Sequence, residues 1–193
     1  MKKIIEKIIE KIKNGKALMY HEQLRLMEPD KIEFLWIYAQ EWGLCVEAQL
    51  KLFEFQEKTE FVRRYILTGN CLGVPAELKM LDLPERVELL RIYAQKNGLC
   101  IPAQLKMLDL PERVELLRIY AQKGKLCDEA QLKMLEMPER VELLRIYTQK
   151  WTLCDEAQLK MLDLPERAEL LEIYTQERLC SLAKKKAREL GLV

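Results

Sequence analysis

Apolar positions recur along this chain at helical spacing, and the whole pattern then repeats. After Arg113, the residues Val114, Leu116, Leu117, Ile119, Tyr120 and Ala121 form a wide apolar arc, with Glu115, Arg118 and Gln122 on the other side. That spacing predicts an amphipathic helix. Residues 83–96 and 110–123 are the same fourteen residues, LPERVELLRIYAQK, which return as MPERVELLRIYTQK from Met137 and LPERAELLEIYTQE from Leu164. The period is 27 residues. A shorter block travels with it, as PAELKMLD from Pro75, PAQLKMLD from Pro102, EAQLKMLE from Glu129 and EAQLKMLD from Glu156. Each repeat therefore predicts two helices, the first of about two turns.

Local signals place the helix ends. Pro111 suits a first helical turn, where its missing N–H leaves nothing unpaired, and Glu112 favours the positive end of the helix dipole. Lys123 and Gly124 close the second helix. Leu110 precedes proline and is pushed out of helical conformation, so the break inside the hairpin falls at Asp109-Leu110. Asp128 and Asp155 are the expected N-caps of the first helix in their repeats, with Pro102 near the start elsewhere.

Towards the N-terminus the repeat decays but stays legible. EAQLKLFEFQEKTEFVRRY from Glu47 fits with a 28-residue offset, and EQLRLMEPDKIEFLWIYAQ from Glu22 fits after one deletion. Six hairpins result. Before them, Ile4, Ile5, Ile8, Ile9 and Ile12 share one face of a predicted helix, and after them SLAKKKAREL is a polar version of the first helix. Both read as end caps, since a terminal repeat has a face without a neighbour. One hairpin of this size cannot bury its own apolar surface, whereas stacked hairpins can. The expected fold is all-α, a right-handed α-solenoid of six helix-turn-helix repeats over 20–180, with capping helices at 1–19 and 181–193.

Charge changes the picture only locally. Lys+Arg 32 against Asp+Glu 31 leaves +1 overall. Setting aside residues 1–16 and 184–189, both lysine-rich, leaves 22 basic against 28 acidic residues, a net charge of about −6. A negative body argues against a phosphate-binding groove, so nucleic acid is not an expected partner. No apolar run approaches the ~18 residues of a membrane span. Glu6, Lys7, Glu10 and Lys11 interrupt the N-terminal apolar stretch that a signal peptide would need. The expected location is cytoplasmic, with no membrane association.

Candidate chemistry is sparse. Ser181 is the only serine and His21 the only histidine, and no Gly-rich phosphate loop or HExxH is present. No enzyme activity, cofactor or metal is expected. Cys45, Cys71, Cys100, Cys127, Cys154 and Cys180 recur about once per repeat and never as C-x-x-C. Neighbouring copies would stand about 10 Å apart, beyond the ~7 Å limit of a disulfide. Free thiols serving as small buried hydrophobes are expected. Tyr38, Tyr65, Tyr93, Tyr120, Tyr147 and Tyr174 offer one aromatic per repeat, which helical RNA readers use for base stacking. Their place inside the apolar arc predicts core rings with edge hydroxyls instead.

Two features remain as candidates for partner binding. Glu88, Glu115, Glu142 and Glu169 run beside Arg91, Arg118, Arg145 and then Glu172, where the row changes sign. Such a row is either a solvated face bridging the repeats or a surface that reads a partner. The copies differ most at the inter-repeat turn, with Trp42-Gly43, Asn97-Gly98, Gly124-Lys125 and Trp151-Thr152 at one position. Trp42 and Trp151 are either binding anchors or loop drift. If they are turn residues without a structural role, Trp151→Ala leaves stability nearly unchanged.

The unit L-C-x-E-A-Q-L with a late I-Y in its second helix resembles the short helical-hairpin repeats of uncharacterised bacterial proteins. The resemblance covers about residues 20–180 and implies an α-solenoid, but implies no function. The identical fourteen-residue copies are also what recent duplication or consensus design would produce. The expected function is a non-enzymatic scaffold for a protein or peptide. The alternatives are a structural or engineered repeat without a natural partner, and single-stranded nucleic-acid binding through the tyrosines.

Overall fold

The apolar arcs become short helices that bury them against one another. The computed structural model describes residues 2–28, 31–55 and 57–192, and no strand occurs among them. Met1, Val193 and, inside the predicted hairpins, Pro29, Asp30 and Gln56 lie outside the described residues. The fold is all-α. Met1–Asn97 and Gly98–Val193 form two units.

The first unit contains α1 (Lys2–Lys13), α2 (Tyr20–Arg25), α3 (Ile32–Trp42), α4 (Val46–Leu52), α5 (Lys58–Leu67), α6 (Val74–Met80) and α7 (Arg86–Tyr93). The second contains α8 (Ile101–Asp109), α9 (Arg113–Tyr120), α10 (Asp128–Met134), α11 (Arg140–Thr148), α12 (Asp155–Met161), α13 (Arg167–Tyr174) and α14 (Ser181–Glu189). In the second unit α8, α10, α12 and α14 pack in succession, as do α9, α11 and α13. In the first, α2, α4 and α6 pack in succession, α5 packs on α7, and α1 packs on α3. First helices thus meet first helices, and second helices meet second helices. The polar α14 takes a first-helix place and the isoleucine-rich α1 a second-helix place.

Small residues set the approach of the first helices. Ala48, Ala76, Ala103, Ala130, Ala157 and Ala183 are fully buried, with Met80, Met107, Met134 and Met161 buried one turn on. The six tyrosines of the second helices are no more than 4% exposed. They are core rings, as the arc predicts, and offer no face for stacking a base. Burial pushes the hydroxyls of Tyr65, Tyr93, Tyr147 and Tyr174 above the usual phenol range.

The helix ends differ from expectation in three respects. Leu110 is extended (φ −76°, ψ 150°) as its proline requires, but Pro111 and Glu112 form a turn and α9 begins only at Arg113. The N-cap of α10 is Cys127, not Asp128, which stands at the first helical position. Cys127 Sγ accepts from Ala130 N at 3.4 Å, and Cys180 Sγ from Ala183 N likewise, in the manner of a capping serine. Cys45, Cys100 and Cys154 occupy the same N-cap position without a side-chain cap bond, so the ladder marks helix starts rather than buried hydrophobes; these five cysteines are half-buried, and all six are free thiols. Cys71 is exposed and outside this ladder, because Gly73 is the N-cap of α6. A Cβ at Gly73 would lie 3.0 Å from Val46 Cγ2, a tight approach.

Within each unit a buried glutamine locks one hairpin to the next. Gln104 Nε2 donates to Leu99 O in its own hairpin at 2.8 Å, while its Oε1 accepts from Cys127 N of the following hairpin at 2.7 Å. Gln131 repeats this with Leu126 O at 2.9 Å and Cys154 N at 2.6 Å, and Gln158 with Leu153 O at 2.9 Å and Cys180 N at 2.6 Å. In the first unit Gln23 Oε1 accepts from Cys45 N, and Gln49 Oε1 from Gly73 N. The tyrosine hydroxyl completes the arrangement, since Leu99 N donates to Tyr120 and Leu153 N to Tyr174. Tyr147 occupies the same register without a partner at hydrogen-bonding geometry. Glu77 replaces the glutamine in one hairpin, 4% exposed, and there Tyr93 donates to its carboxyl at 2.8 Å.

Ion pairs form two outer rails in the second unit. Arg113 makes two hydrogen bonds to Glu139, at 2.9 and 2.7 Å, and Arg140 does the same to Glu166, at 3.1 and 2.6 Å. These hold both carboxyls below the ordinary value of 4.5. Lys133 pairs with Asp109, Lys160 with Glu136 and Lys186 with Asp163.

Removing the glutamine amide leaves a buried carbonyl and a cap N–H unpaired, at about 1–3 kcal/mol for each orphan. Gln131→Ala should therefore lower the unfolding free energy by several kcal/mol, comparable with the 3–5 kcal/mol expected at order of magnitude for Tyr120→Ala. The exposed Gln122→Ala should change it by less than ~0.5 kcal/mol. Urea denaturation of the three variants checks this, and equal midpoints for Gln131→Ala and Gln122→Ala would contradict the lock.

Candidate functional site

The second helices of the second unit present their polar side outward. The chain supplies Glu, Arg and Gln at fixed places along each helix, and packing of α9, α11 and α13 turns those places into rows. Between the helices lie three recesses that share lining residues. The largest, about 700 Å³, is lined by Arg118, Glu139, Glu142, Arg145, Ile146 and Gln149. A smaller one of about 160 Å³ shares Arg118, Ile146 and Gln149 and adds Gln122 and Lys150. A third, of about 400 Å³, runs between α11 and α13 past Arg145, Gln149, Glu172 and Ile173. The shared residues make a single groove across the three helices. Its walls are charged and its floor carries the half-buried Ile146 and Ile173.

The charges in the groove are not equally engaged. Arg118 reaches Glu142 at 3.4 Å, with both side chains more than half exposed, a geometry that contributes little. Arg145 stands one helix further on, exposed, and makes no ion pair or hydrogen bond among the described residues. Glu172 faces the same recess and is likewise unpaired among them. A lone cation and a lone anion on adjacent helices are available to a ligand without first breaking a contact.

No protein family, curated protein or solved structure matches the chain. The site therefore rests on its own geometry. Among the described residues no helix is long and apolar enough to cross a membrane, and no group of three or more His, Cys, Asp or Glu is placed to hold a metal ion.

The five residues singled out from the sequence do not form one cluster. Arg118 and Arg145 meet in the groove. Arg91 is exposed on α7 and Trp42 is 52% exposed at the end of α3, both in the first unit. Trp151 plays a structural part, because its indole Nε1 donates to Ala121 O at 2.8 Å and satisfies a carbonyl at the end of α9. Asn70 does this for Ala39 O, and Arg178 for Thr148 O. At Asn70, Trp151 and Arg178 the variable turn position thus supplies a donor to a carbonyl of the preceding hairpin, which argues against the expectation that Trp151 is dispensable for stability. Lys150 adds a bond to Gln122 O at 2.9 Å. Sequence reasoning missed Gln149, Ile146 and Ile173. Their repetition once per period beside the arginine row was the available signal.

Trp151→Ala should lower stability by about 1–3 kcal/mol through the lost hydrogen bond and indole packing. Trp42→Ala, on an exposed ring, should cost less than ~0.5 kcal/mol. Thermal melts of the two variants separate these outcomes, and no loss for Trp151→Ala would remove its capping role.

Proposed function

We propose that the chain is a non-enzymatic binding scaffold of the cytoplasm, a right-handed α-solenoid of six helix-turn-helix hairpins with helical caps, that takes a protein segment along its α9–α11–α13 face. The solenoid reading is supported by the 27-residue period and by the like-with-like packing of first and second helices inside each unit. The observation that carries the binding reading is the groove itself, where Arg145 and Glu172 stand unpaired beside Arg118. The invariant part of each hairpin is committed to packing, capping and the glutamine lock. The outward row changes sign between Arg145 and Glu172. The tyrosines are too buried to read bases.

The test is affinity capture from cell lysate with the wild-type chain and an Arg118→Ala/Arg145→Ala variant, at low and high salt, with protein and nucleic acid both identified. The expected result is a protein captured by the wild type and lost with the variant. Capture that survives the double substitution, or that yields only nucleic acid, would overturn the groove as the binding face, and an empty eluate would favour a repeat without a partner.

A further inference from the structure

The spacing and charge order of the groove specify what kind of segment fits it. At one register, Arg118 on α9, Arg145 on α11 and Glu172 on α13 follow each other at 27-residue intervals, and these three helices pack as neighbours. Packed helices lie about 8–10 Å apart, so along this register a ligand crossing them meets plus, plus and minus at that interval, with Glu142 beside Arg118 as its loose partner and Glu139 in the same recess held by Arg113. A polyproline-II chain rises about 3.1 Å per residue with three residues per turn, and so returns a side chain to the same face every ~9 Å. A β-strand does not, because residues three apart point to opposite faces.

An α-helix returns to one face after seven residues, about 10.5 Å, but it docks through a broad apolar stripe. Here the apolar floor is limited to Ile146 and Ile173, half-buried between charged rows. A polyproline-II backbone instead leaves its carbonyls unpaired. Gln149 lines all three recesses, is exposed, and has a side-chain amide with no hydrogen bond among the described residues. It is placed to donate to such a carbonyl.

Resting on the groove as the binding face, we infer that its ligand is a proline-rich segment in polyproline-II conformation with the pattern acidic-x-x-acidic-x-x-basic. The two acidic residues lie over Arg118 and Arg145 and the basic residue over Glu172, with prolines against Ile146 and Ile173. Charge order then sets direction, since the same segment running the opposite way places like charges together at Arg118 and Glu172, and in the same direction the charge-inverted pattern does so at all three positions.

Fluorescence anisotropy with three labelled synthetic peptides tests this on the full chain. The first is acidic-Pro-Pro-acidic-Pro-Pro-basic. The second has all three charges inverted. The third carries the original charges at seven-residue spacing on an alanine-rich helix. The first peptide should bind, at least ten-fold more tightly than the second or third, and should weaken at least ten-fold with Arg145→Glu. The inverted peptide should bind the Arg118→Glu/Arg145→Glu/Glu172→Arg variant better than it binds the wild type. All three substituted side chains are exposed, and circular dichroism confirms that the variants fold. Equal binding of the first two peptides, indifference to Arg145→Glu, preference for the helical peptide, or no binding by any of them would overturn the inference. If a protein is still captured from lysate and lost with Arg118→Ala/Arg145→Ala, the groove stands and only its ligand class has been misassigned. If that capture fails too, the groove reading falls with it.

Discussion

A carboxamide buried between packed helices must have its donor and its acceptor occupied, or it destabilises the structure it sits in. Gln131, fully buried, meets this by donating to a carbonyl of its own hairpin and accepting from the cap amide of the next. The same bond also removes a difficulty at the receiving end. The first amides of a helix have no partner within it, and a stack of two-turn helices brings many such ends close to the interior. Within each unit one such side chain therefore ties the start of a first helix to its neighbour. The tyrosine hydroxyl plays the matching part inside the hairpin, holding Leu99 N against the ring of Tyr120.

This lock explains why so much of the repeat is unvarying. Alanine at the helix contact, glutamine at the lock, tyrosine in the core and cysteine or glycine at the cap each answer a requirement met again every 27 residues. The Arg113–Glu139 and Arg140–Glu166 forks follow the same period on the outside. Less constrained are the inter-repeat turn and the outward row of the second helices, where arginine gives way to glutamate at Glu172 without disturbing the packing of α13 on α11. Packing falls to one side of each second helix and the proposed binding row to the other.

Much of this is legible in the sequence, and the failures share a physical cause. The helices, their pairing and the buried tyrosines follow from periodicity, which reports on apolar contact. Periodicity also assigns polar residues to solvent and so hides Gln104, although it lies four residues before the buried Leu108 and hence on the same face. Cysteine reads as a hydrophobe on its average behaviour, whereas here it stands at the extended residue before a helix, and at Cys127 and Cys180 its sulfur takes the place of a serine hydroxyl. Trp151 resembles loop drift because the cap needs only a donor, and tryptophan, asparagine and arginine all supply one. The unequal pairing of Arg118 and Arg145 has no signature in the sequence, since their surroundings repeat almost residue for residue.

The glutamine bonds couple successive hairpins, and residue-resolved amide hydrogen exchange reads those bonds directly. The amides of Cys127, Cys154 and Cys180 stand at helix starts, where exchange is ordinarily fast. If the coupling is real, they are protected as strongly as the core amides of α9 and α11. Exchange at the rate of unprotected amides, with the helices themselves intact, would contradict it.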